Sequence, residues 1–189
     1  MDDIPQLLRR WQEGDPAAGD ALLRACFEPL HRFFRTKIGE GIDDLIQKTL
    51  MSCVEAPDKI RDPEAFWAYL FSVARNRLYD RLRSELRVGE KVALSEMSLH
   101  ELGASPSSIV AQGQRAQLVA EALRRIPLDY QIALELSYWE GMKAPQIGQV
   151  LQVNPNTVRT RLVRARAALK AELGKLGAAE LGEGEALPS

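Results

Sequence analysis

Basic side chains are concentrated on one predicted helix in the last third of the chain. Between Arg159 and Lys170 there are five basic residues and no acidic ones. Asn154 and Pro155 provide a helix N-cap and a first-turn proline, and another short helix is predicted directly before them, over 145–152. Two helices that change direction at such a tight turn are typical of a helix-turn-helix, which lays its second helix in the DNA major groove.

The outward side chains of this second helix differ in what they can bind. Arginine forks onto guanine, asparagine pairs with adenine, and small apolar groups meet the thymine methyl. Residues near the helix start are expected at base edges, and the later basic residues at phosphates. The base-edge set is Asn156, Arg159, Thr160, Val163 and Arg164, and the phosphate set is Arg161, Arg166 and Lys170. A solvated basic face on a packing helix is the alternative, and the cap, the preceding helix and the lack of acids favour DNA.

A second basic surface is predicted on a long helix that begins at the cap and proline of Asp62 and Pro63. Its arginines, from Arg75 to Arg87, alternate with aromatic residues. Rings stack on unpaired bases and arginine follows the backbone, so the cluster suits single-stranded nucleic acid. The aromatic residues are Phe66, Trp67, Tyr69, Phe71 and Tyr79. For any single ring the alternative is a place in the core, because Phe66, Leu70, Ala74, Leu78 and Leu82 also form a predicted buried stripe.

An acidic and apolar segment precedes that helix. Asp43 and Asp44 are followed by Leu45, and Asp44 with Gln47 fits a helix capping box. Capping alone could account for both aspartates. The other explanation is a surface that binds a protein partner.

The helices that position these groups cover most of the chain, and strand signals are nearly absent. The sequence therefore predicts an all-α protein of two small helical domains joined by a flexible linker. The predicted boundaries are 1–88, 89–114 for the linker, 115–173, and 174–189 for an acidic, disordered tail. In the first domain, the expected apolar stripe of the second helix is Leu23, Phe27, Leu30 and Phe34.

Composition excludes several functional classes. The net charge is −1, so nucleic-acid affinity must come from local patches. Cys26 and Cys53 lack metal-ligand spacing and are expected to be buried thiols, and only His31 and His100 are available, so no metal or cofactor is predicted. No catalytic cluster is evident, which predicts that the chain is not an enzyme. The absence of a signal peptide or membrane span predicts a cytoplasmic protein.

Four segments together resemble the extracytoplasmic-function (ECF) sigma factors of bacterial RNA polymerase, within the sigma-70 family. They are DDLIQKTL, AFWAYLFSVARNRLYDRLR, IPLDYQIALELSYWEGM and IGQVLQVNPNTVRTRLVRARAAL. The resemblance covers about residues 10–88 and 115–173, in the order and spacing of the family's region 2 and region 4 domains.

The resemblance implies a role and partners for each segment. The first domain would recognise the melted promoter −10 element, at Lys59, Arg61, Asp62, Phe66, Trp67 and Asn76, with Arg75 and Arg77 on the same helix. Core RNA polymerase would be bound through its clamp helices by Asp43, Asp44, Leu45 and Gln47, and also through its flap. The second domain would read the −35 element as duplex, through Arg159, Thr160 and Arg164 assisted by Asn156 and Val163, with Arg161 and Arg166. An anti-sigma factor is a further implied partner.

Several positions depart from the family pattern. Lys48 stands where glutamate is common, which affects one polar contact to the clamp. Gln152 and Asn156 replace glycines at the turn of the helix-turn-helix, and Gly148 replaces an alanine, which allows close helix approach. A non-glycine residue in a left-handed turn costs on the order of 1 kcal/mol, so a turn with different dihedral angles is expected.

Two other functions remain open from the sequence. A stand-alone helix-turn-helix regulator would bind duplex DNA as a dimer without polymerase. A sigma-like protein-interaction adaptor would keep the fold without starting transcription, and the Lys48 departure is consistent with it.

Overall fold

The computed structural model describes residues 4–55, 65–87, 93–104 and 114–180, in which eight α-helices occur and no strand beyond an isolated bridge. The first unit contains α1 (Ile4–Gln12), α2 (Pro16–Arg35), α3 (Ile42–Val54) and α4 (Phe66–Leu86). The second unit contains α5 (Gln114–Arg124), α6 (Leu128–Tyr138), α7 (Ala144–Leu151) and α8 (Pro155–Glu180). The all-α prediction with two helical units is confirmed.

The start of α2 follows the predicted signal. The Asp15 side chain accepts hydrogen bonds from the backbone N–H groups of Ala17 (3.0 Å) and Ala18 (3.2 Å), and Pro16 is the first helical residue. The hydrogen bond from Arg10 and those from the helix start hold the pKa of the Asp15 carboxyl below its usual range. This junction fixes the direction of α2 relative to α1.

The buried stripe of α2 differs from the predicted one. Phe27 is 42% exposed and Leu23 is only half-buried, so that part of the prediction is wrong. Because α2 contacts both α1 and α3, its buried face is wider than the predicted stripe and is rotated from it by one residue. It consists of Leu22, Cys26, Leu30, Phe33 and Phe34, all nearly inaccessible to solvent.

The start of α3 also differs from the prediction. Gly41, with φ 74°, is the N-cap residue, and it has no side chain to form the predicted capping box. The Asp44 carboxylate instead accepts a hydrogen bond from Lys48, at 2.7 Å, one turn further along the helix. Because Asp44 does not cap the helix, capping does not explain its presence.

The four-residue repeat in α4 predicts its buried face correctly. All five stripe residues are at most 1% exposed: Phe66, Leu70, Ala74, Leu78 and Leu82. The predicted start at Asp62 and Pro63 lies outside the described residues. The stripe packs α4 against α3 and α2.

The helix-turn-helix is formed by α7 and α8. A Cβ atom on Gly148 would lie 2.7 Å from the backbone oxygen of Val153, so glycine permits the close approach that was predicted. Gln152 ends α7 in the left-handed conformation, with φ 57° and ψ 42°. The expected change in dihedral angles is therefore wrong, and Gln152 adopts the conformation that usually favours glycine.

Gln152→Gly is expected to stabilise the protein by about 0.5–1 kcal/mol, because glycine removes the Cβ strain of the left-handed conformation. For a chain of this size that gain raises Tm by roughly 1–4 °C. The matched control is Gln149→Gly, an exposed position inside α7, where glycine is expected to cost about 1 kcal/mol. Thermal unfolding followed by circular dichroism measures both, and equal signs for the two changes would contradict the strain argument.

Part of the predicted linker packs against the second unit. Ser98 forms a β-bridge with Pro127, and the backbone N–H of Leu128 donates to the carbonyl of Met97 at 2.9 Å. Leu94 and Leu99 are buried, which holds residues 93–104 in place. At the other end of the unit, α8 continues to Glu180, beyond the predicted boundary at 173, and residues 181–189 lie outside the described part.

The two units share one hydrophobic core. Helix α4 packs against α7, and a continuous cluster joins Phe71 and Leu78 of the first unit to Ile132 and Ile147 of the second. The sequence did not predict this contact, which is called the seam below. Because of the seam, the two predicted basic surfaces lie on units that contact each other.

Candidate nucleic-acid interface

The recognition helix α8 starts as predicted. The Asn154 side chain accepts a hydrogen bond from the backbone N–H of Thr157 at 2.8 Å, which satisfies an amide of the first turn. One turn on, the Arg159 guanidinium donates to the Asn156 side-chain oxygen at 2.5 Å. This contact orients two predicted base-edge residues relative to each other before DNA arrives.

The predicted base-edge residues share an exposed face of α8. Val163 is 60% exposed, which is unusual for an apolar side chain that serves only packing. Within the described part of the chain, no carboxylate forms an ion pair with Arg159, Arg164 or Arg166. The guanidinium groups of Arg164 and Arg166 are therefore free for phosphate or base oxygens, and that of Arg159 is bonded only to the neutral Asn156 side chain. The inward face, Val158, Leu162, Ala165 and Leu169, is buried or half-buried as predicted.

Arg161 differs from its neighbours. Its guanidinium donates to a carboxylate oxygen of Asp129 at 2.5 Å, and its side chain is 25% exposed. The N-terminal end of α8 lines an open cleft of about 1140 Å³, whose lining also includes Glu96 of the linker turn and Asp129. Two carboxylates therefore line the same cleft as the predicted DNA-binding end.

The predicted −10 residues are divided by the structure. Lys59, Arg61 and Asp62 lie outside the described residues. Asn76 and Arg77 are exposed on α4, where a guanidinium N–H of Arg77 donates to the Ser52 hydroxyl at 3.3 Å.

The two aromatic residues predicted at the −10 site, Phe66 and Trp67, differ in burial. Phe66 is 1% exposed, so its assignment to base contact is corrected to a core position. Trp67 is half-buried, with its ring 5.6 Å from Phe66 and 6.1 Å from Phe71 between centroids. Trp67 is therefore partly accessible and packs against two core rings.

Arg75 is buried in the seam rather than exposed on a basic face. It is 8% exposed, and its guanidinium donates to Asp129 at 3.1 Å and lies over the Tyr79 ring at 4.3 Å. The Tyr79 hydroxyl donates to the same carboxylate oxygen at 2.6 Å. Burial is the main cause that raises the pKa of Tyr79, and the nearby Asp129 charge adds to it, so the phenol stays a donor.

Two more ion pairs cross the seam. The Lys37 ammonium, fully buried, contacts Glu135 and also donates to the Phe33 carbonyl at 2.7 Å and the Thr36 hydroxyl at 2.9 Å. Arg32 forms a two-point contact with Glu140, at 2.9 and 3.1 Å. Sequence reasoning missed these residues, because their partners are far away in the chain.

The predicted polymerase-docking residues lie on α3. Asp43, Asp44 and Gln47 are exposed, whereas Leu45 is 4% exposed and belongs to the core. The prediction of a direct contact by Leu45 is corrected accordingly. Two further apolar residues continue the exposed face at helical spacing from Gln47: Met51, 46% exposed, and Val54, 39% exposed. An exposed methionine beside carboxylates is typical of a protein-binding surface.

Family comparisons match both units. A family model described as Sigma-70 region 2 matches residues 22–88, and one described as Sigma-70, region 4 matches residues 116–169. The ECF RNA polymerase sigma factor SigL of Mycobacterium tuberculosis is 31% identical over 173 residues, which cover 87% of this chain and 96% of SigL. The ECF RNA polymerase sigma-E factor of Salmonella typhimurium is 24% identical over 172 residues, with 86% and 90% covered.

Solved structures show the same fold. The structure of CnrH in complex with the cytosolic domain of CnrY matches with a TM-score of 0.66 at 26% identity, covering 92% of this chain and 99% of that one. The sigma factor RpoE in complex with the anti-sigma factor NepR from Bartonella quintana matches with a TM-score of 0.62 at 21% identity, covering 82% and 96%. Within the described residues, no helix has the length and apolar composition needed to cross a bilayer.

Proposed function

Because the chain belongs to the family of ECF RNA polymerase sigma factors, we propose that its two units recognise two promoter elements on behalf of core polymerase. The second unit reads the −35 element as duplex, and the first unit holds the melted −10 element. The observation that carries this assignment is the exposed face of α8, whose base-edge residues and unpaired arginines lie together at the capped end of the helix.

In the −35 contact, α8 enters the major groove with its N-terminal turns. Arg159 and Arg164 contact base edges, and Asn156, already bonded to Arg159, sits between them and the turn. Thr160 and Val163 offer methyl groups to thymine, while Arg166 and Arg161 contact phosphates.

In the −10 contact, α4 presents its exposed polar edge to the non-template strand. Asn76 and Arg77 are exposed, and Trp67 is only half-buried, which supports contact with an unpaired base. Lys59, Arg61 and Asp62 belong to the same site by their resemblance to the family. Arg75 joins the site only if its bond to Asp129 breaks.

The exposed face of α3 binds the clamp helices of polymerase. Asp43, Asp44 and Gln47 supply the polar contacts, and Met51 with Val54 supplies the adjoining apolar area. The second unit contacts the polymerase flap. The Asp44–Lys48 pair is exposed, so it separates at little cost when a partner competes for the carboxylate.

An anti-sigma factor is a second class of protein partner. The CnrH match, above 25% identity and covering most of both chains, is to a complex with a domain called cytosolic. That likeness supports the binding of a further protein partner, and it supports action in the cytoplasm.

Run-off transcription with purified core polymerase and a genomic fragment library tests the proposed function. Discrete transcripts that need both this protein and core enzyme are expected. Binding to duplex DNA without polymerase, and no transcripts, would favour a stand-alone regulator. Polymerase binding without transcripts or DNA binding would favour an adaptor.

Arg164→Ala is expected to cost roughly 1–3 kcal/mol and to relax base preference at one −35 position, because a forked arginine reads one base pair. Arg166→Ala is the matched control, since Arg166 is also exposed on the same helix. It is expected to weaken all sequences alike and to reduce the salt slope by about 1. Holoenzyme affinity for a panel of base-substituted −35 elements measures both. A uniform loss for Arg164→Ala would remove its base-reading role.

A further inference from the structure

The Asn156 side chain is bonded to a neighbouring arginine on α8. Asn156 and Arg159 are three positions apart, so their side chains lie on the same face of the helix. The Arg159 Nη1 group donates to the Asn156 side-chain oxygen at 2.5 Å. The Asn156 carbonyl in turn accepts a hydrogen bond from the Thr160 hydroxyl at 3.2 Å. Asn156 therefore provides an anchored acceptor for a long and otherwise mobile side chain.

This bond uses the atom with which asparagine would read adenine. A two-point contact with adenine needs the amide oxygen to accept from N6 and the amide NH2 group to donate to N7. In Asn156 that oxygen already accepts from a charged donor, which is a stronger partner than a neutral base amine. The bond to Arg159 therefore competes with an adenine contact by Asn156.

The same bond leaves Arg159 able to read guanine. A guanidinium group has five N–H donors, and the contact with Asn156 uses one of them. A fork onto guanine O6 and N7 needs two more. An exposed arginine loses rotamer freedom when it binds a base, and an arginine that a neighbour already holds loses less of it. The bond to Asn156 thus prepares Arg159 for one geometry of approach.

Arg164 provides an internal comparison. It is exposed on the same helix and forms no hydrogen bond or ion pair with any residue that the structure describes. Its guanidinium group can be oriented only by the DNA that it contacts. The two arginines proposed to contact base edges therefore differ in whether a neighbouring side chain positions them.

We propose that Asn156 is a positioning residue, which sets the selectivity of Arg159 for guanine at one base pair of the −35 element and reads no base itself. The inference rests on the proposed −35 contact of α8. It follows that the guanine preference at the base pair read by Arg159 depends on Asn156, whereas the preference at the base pair read by Arg164 does not.

A double-variant cycle tests this role, with holoenzyme affinity for a panel of base-substituted −35 elements as the measurement. Arg159→Ala is expected to reduce the preference for guanine at one base pair by roughly 5- to 100-fold, as for a lost fork. Asn156→Ala is expected to reduce the preference at that same base pair by about three- to tenfold, as for one lost hydrogen bond. With Arg159 already replaced by alanine, Asn156→Ala is expected to change the base preference no further.

A conservative variant and a control separate positioning from a structural role. Asn156→Asp keeps an acceptor for Arg159, so it is expected to retain the guanine preference while weakening all sequences alike, because its charge repels phosphate. A purely structural role of Asn156 in α8 would not move the preference at a single base pair. Gln149→Ala, which removes an exposed amide from α7, is the matched control and is expected to leave every preference unchanged.

The outcomes distinguish this role from the proposed function. The positioning role would be overturned if Asn156→Ala altered a different base pair, altered none, or added to the loss in Arg159→Ala. The same conclusion would follow if Asn156→Asp lost the guanine preference as fully as Asn156→Ala. Each of these results leaves the −35 contact intact as long as the wild-type holoenzyme discriminates between −35 elements. If the wild-type holoenzyme showed no −35 preference, the proposed −35 contact would fail, and the positioning role with it.

Discussion

Glu135→Ala is expected to destabilise the protein by about 3–5 kcal/mol, because it leaves the Lys37 ammonium buried without a counter-charge. Both side chains are almost fully enclosed, at 0% and 3% exposure. The remaining acceptors of Lys37 are the neutral Phe33 carbonyl and Thr36 hydroxyl, which cannot balance a full charge. Urea unfolding at constant pH measures the loss.

Two variants show whether the loss comes from the stranded charge. Lys37→Met combined with Glu135→Leu removes both charges and keeps apolar volume, so it is expected to be much closer to wild type than Glu135→Ala. Glu172→Ala removes a carboxylate from an ion pair with the exposed Lys175 and is expected to cost less than about 1 kcal/mol. A double variant as unstable as Glu135→Ala would refute the charge argument.

The pH dependence gives an independent check. Burial lowers the pKa of Lys37 below its ordinary value of 10.5, and Glu135 opposes that change. Between the folded and unfolded pKa the unfolded state binds more protons, so stability rises with pH up to about 10.5. Without Glu135 the folded pKa falls further, and the rise is expected to begin at lower pH in Glu135→Ala. A pH profile parallel to that of wild type would contradict this.

Asp44→Ala combined with Gln47→Ala is expected to weaken core-polymerase binding by at least about 2 kcal/mol, or roughly 30-fold, as for paired hot-spot residues. Both side chains are exposed on α3 and neither caps the helix, so the fold should be retained. Asp20→Ala, an exposed carboxylate on α2, is the control. Binding to purified core enzyme measures the change, and undiminished co-purification of the double variant would remove α3 from the interface.

Local signals predicted the helices and the exposed face of α8. The four-residue repeat of α4 gave its buried face, and Asn154 gave the start of α8, because both depend on neighbours within a few residues. The outward direction of Val163 and Arg164 follows from the same periodicity. These features could be found without knowing any long-range contact.

The seam could not be predicted from such signals. Arg75 meets Asp129 across 54 positions, and Lys37 meets Glu135 across 98, so no local pattern connects them. One indication was present in α6, where apolar residues occur on every side and even Asp129 and Glu135 are buried. A helix that is apolar all round must be covered on all sides, which the second unit alone would not achieve.

The predictions that Phe66 contacts a base and that Leu45 contacts polymerase are wrong for the same reason. Phe66 and Leu45 lie next to residues that reach the surface, but helical geometry turns adjacent side chains about 100° apart. Phe66 therefore enters the core while Trp67 reaches the surface, and Leu45 is buried while Asp44 is exposed. A motif of consecutive residues in a helix therefore includes both surface residues and the core residues that support them.

The enclosure of Lys37 makes it a chemical reporter of the seam. Its amine has no solvent-exposed surface, whereas the other described lysines, Lys48, Lys143, Lys170 and Lys175, are exposed. An acylating reagent therefore modifies those four at once and reaches Lys37 only in molecules whose seam has opened. When opening and closing are fast, the rate of Lys37 acylation follows the open population. Mass spectrometry of one native lysine can thus measure how often the seam opens, without any engineered label.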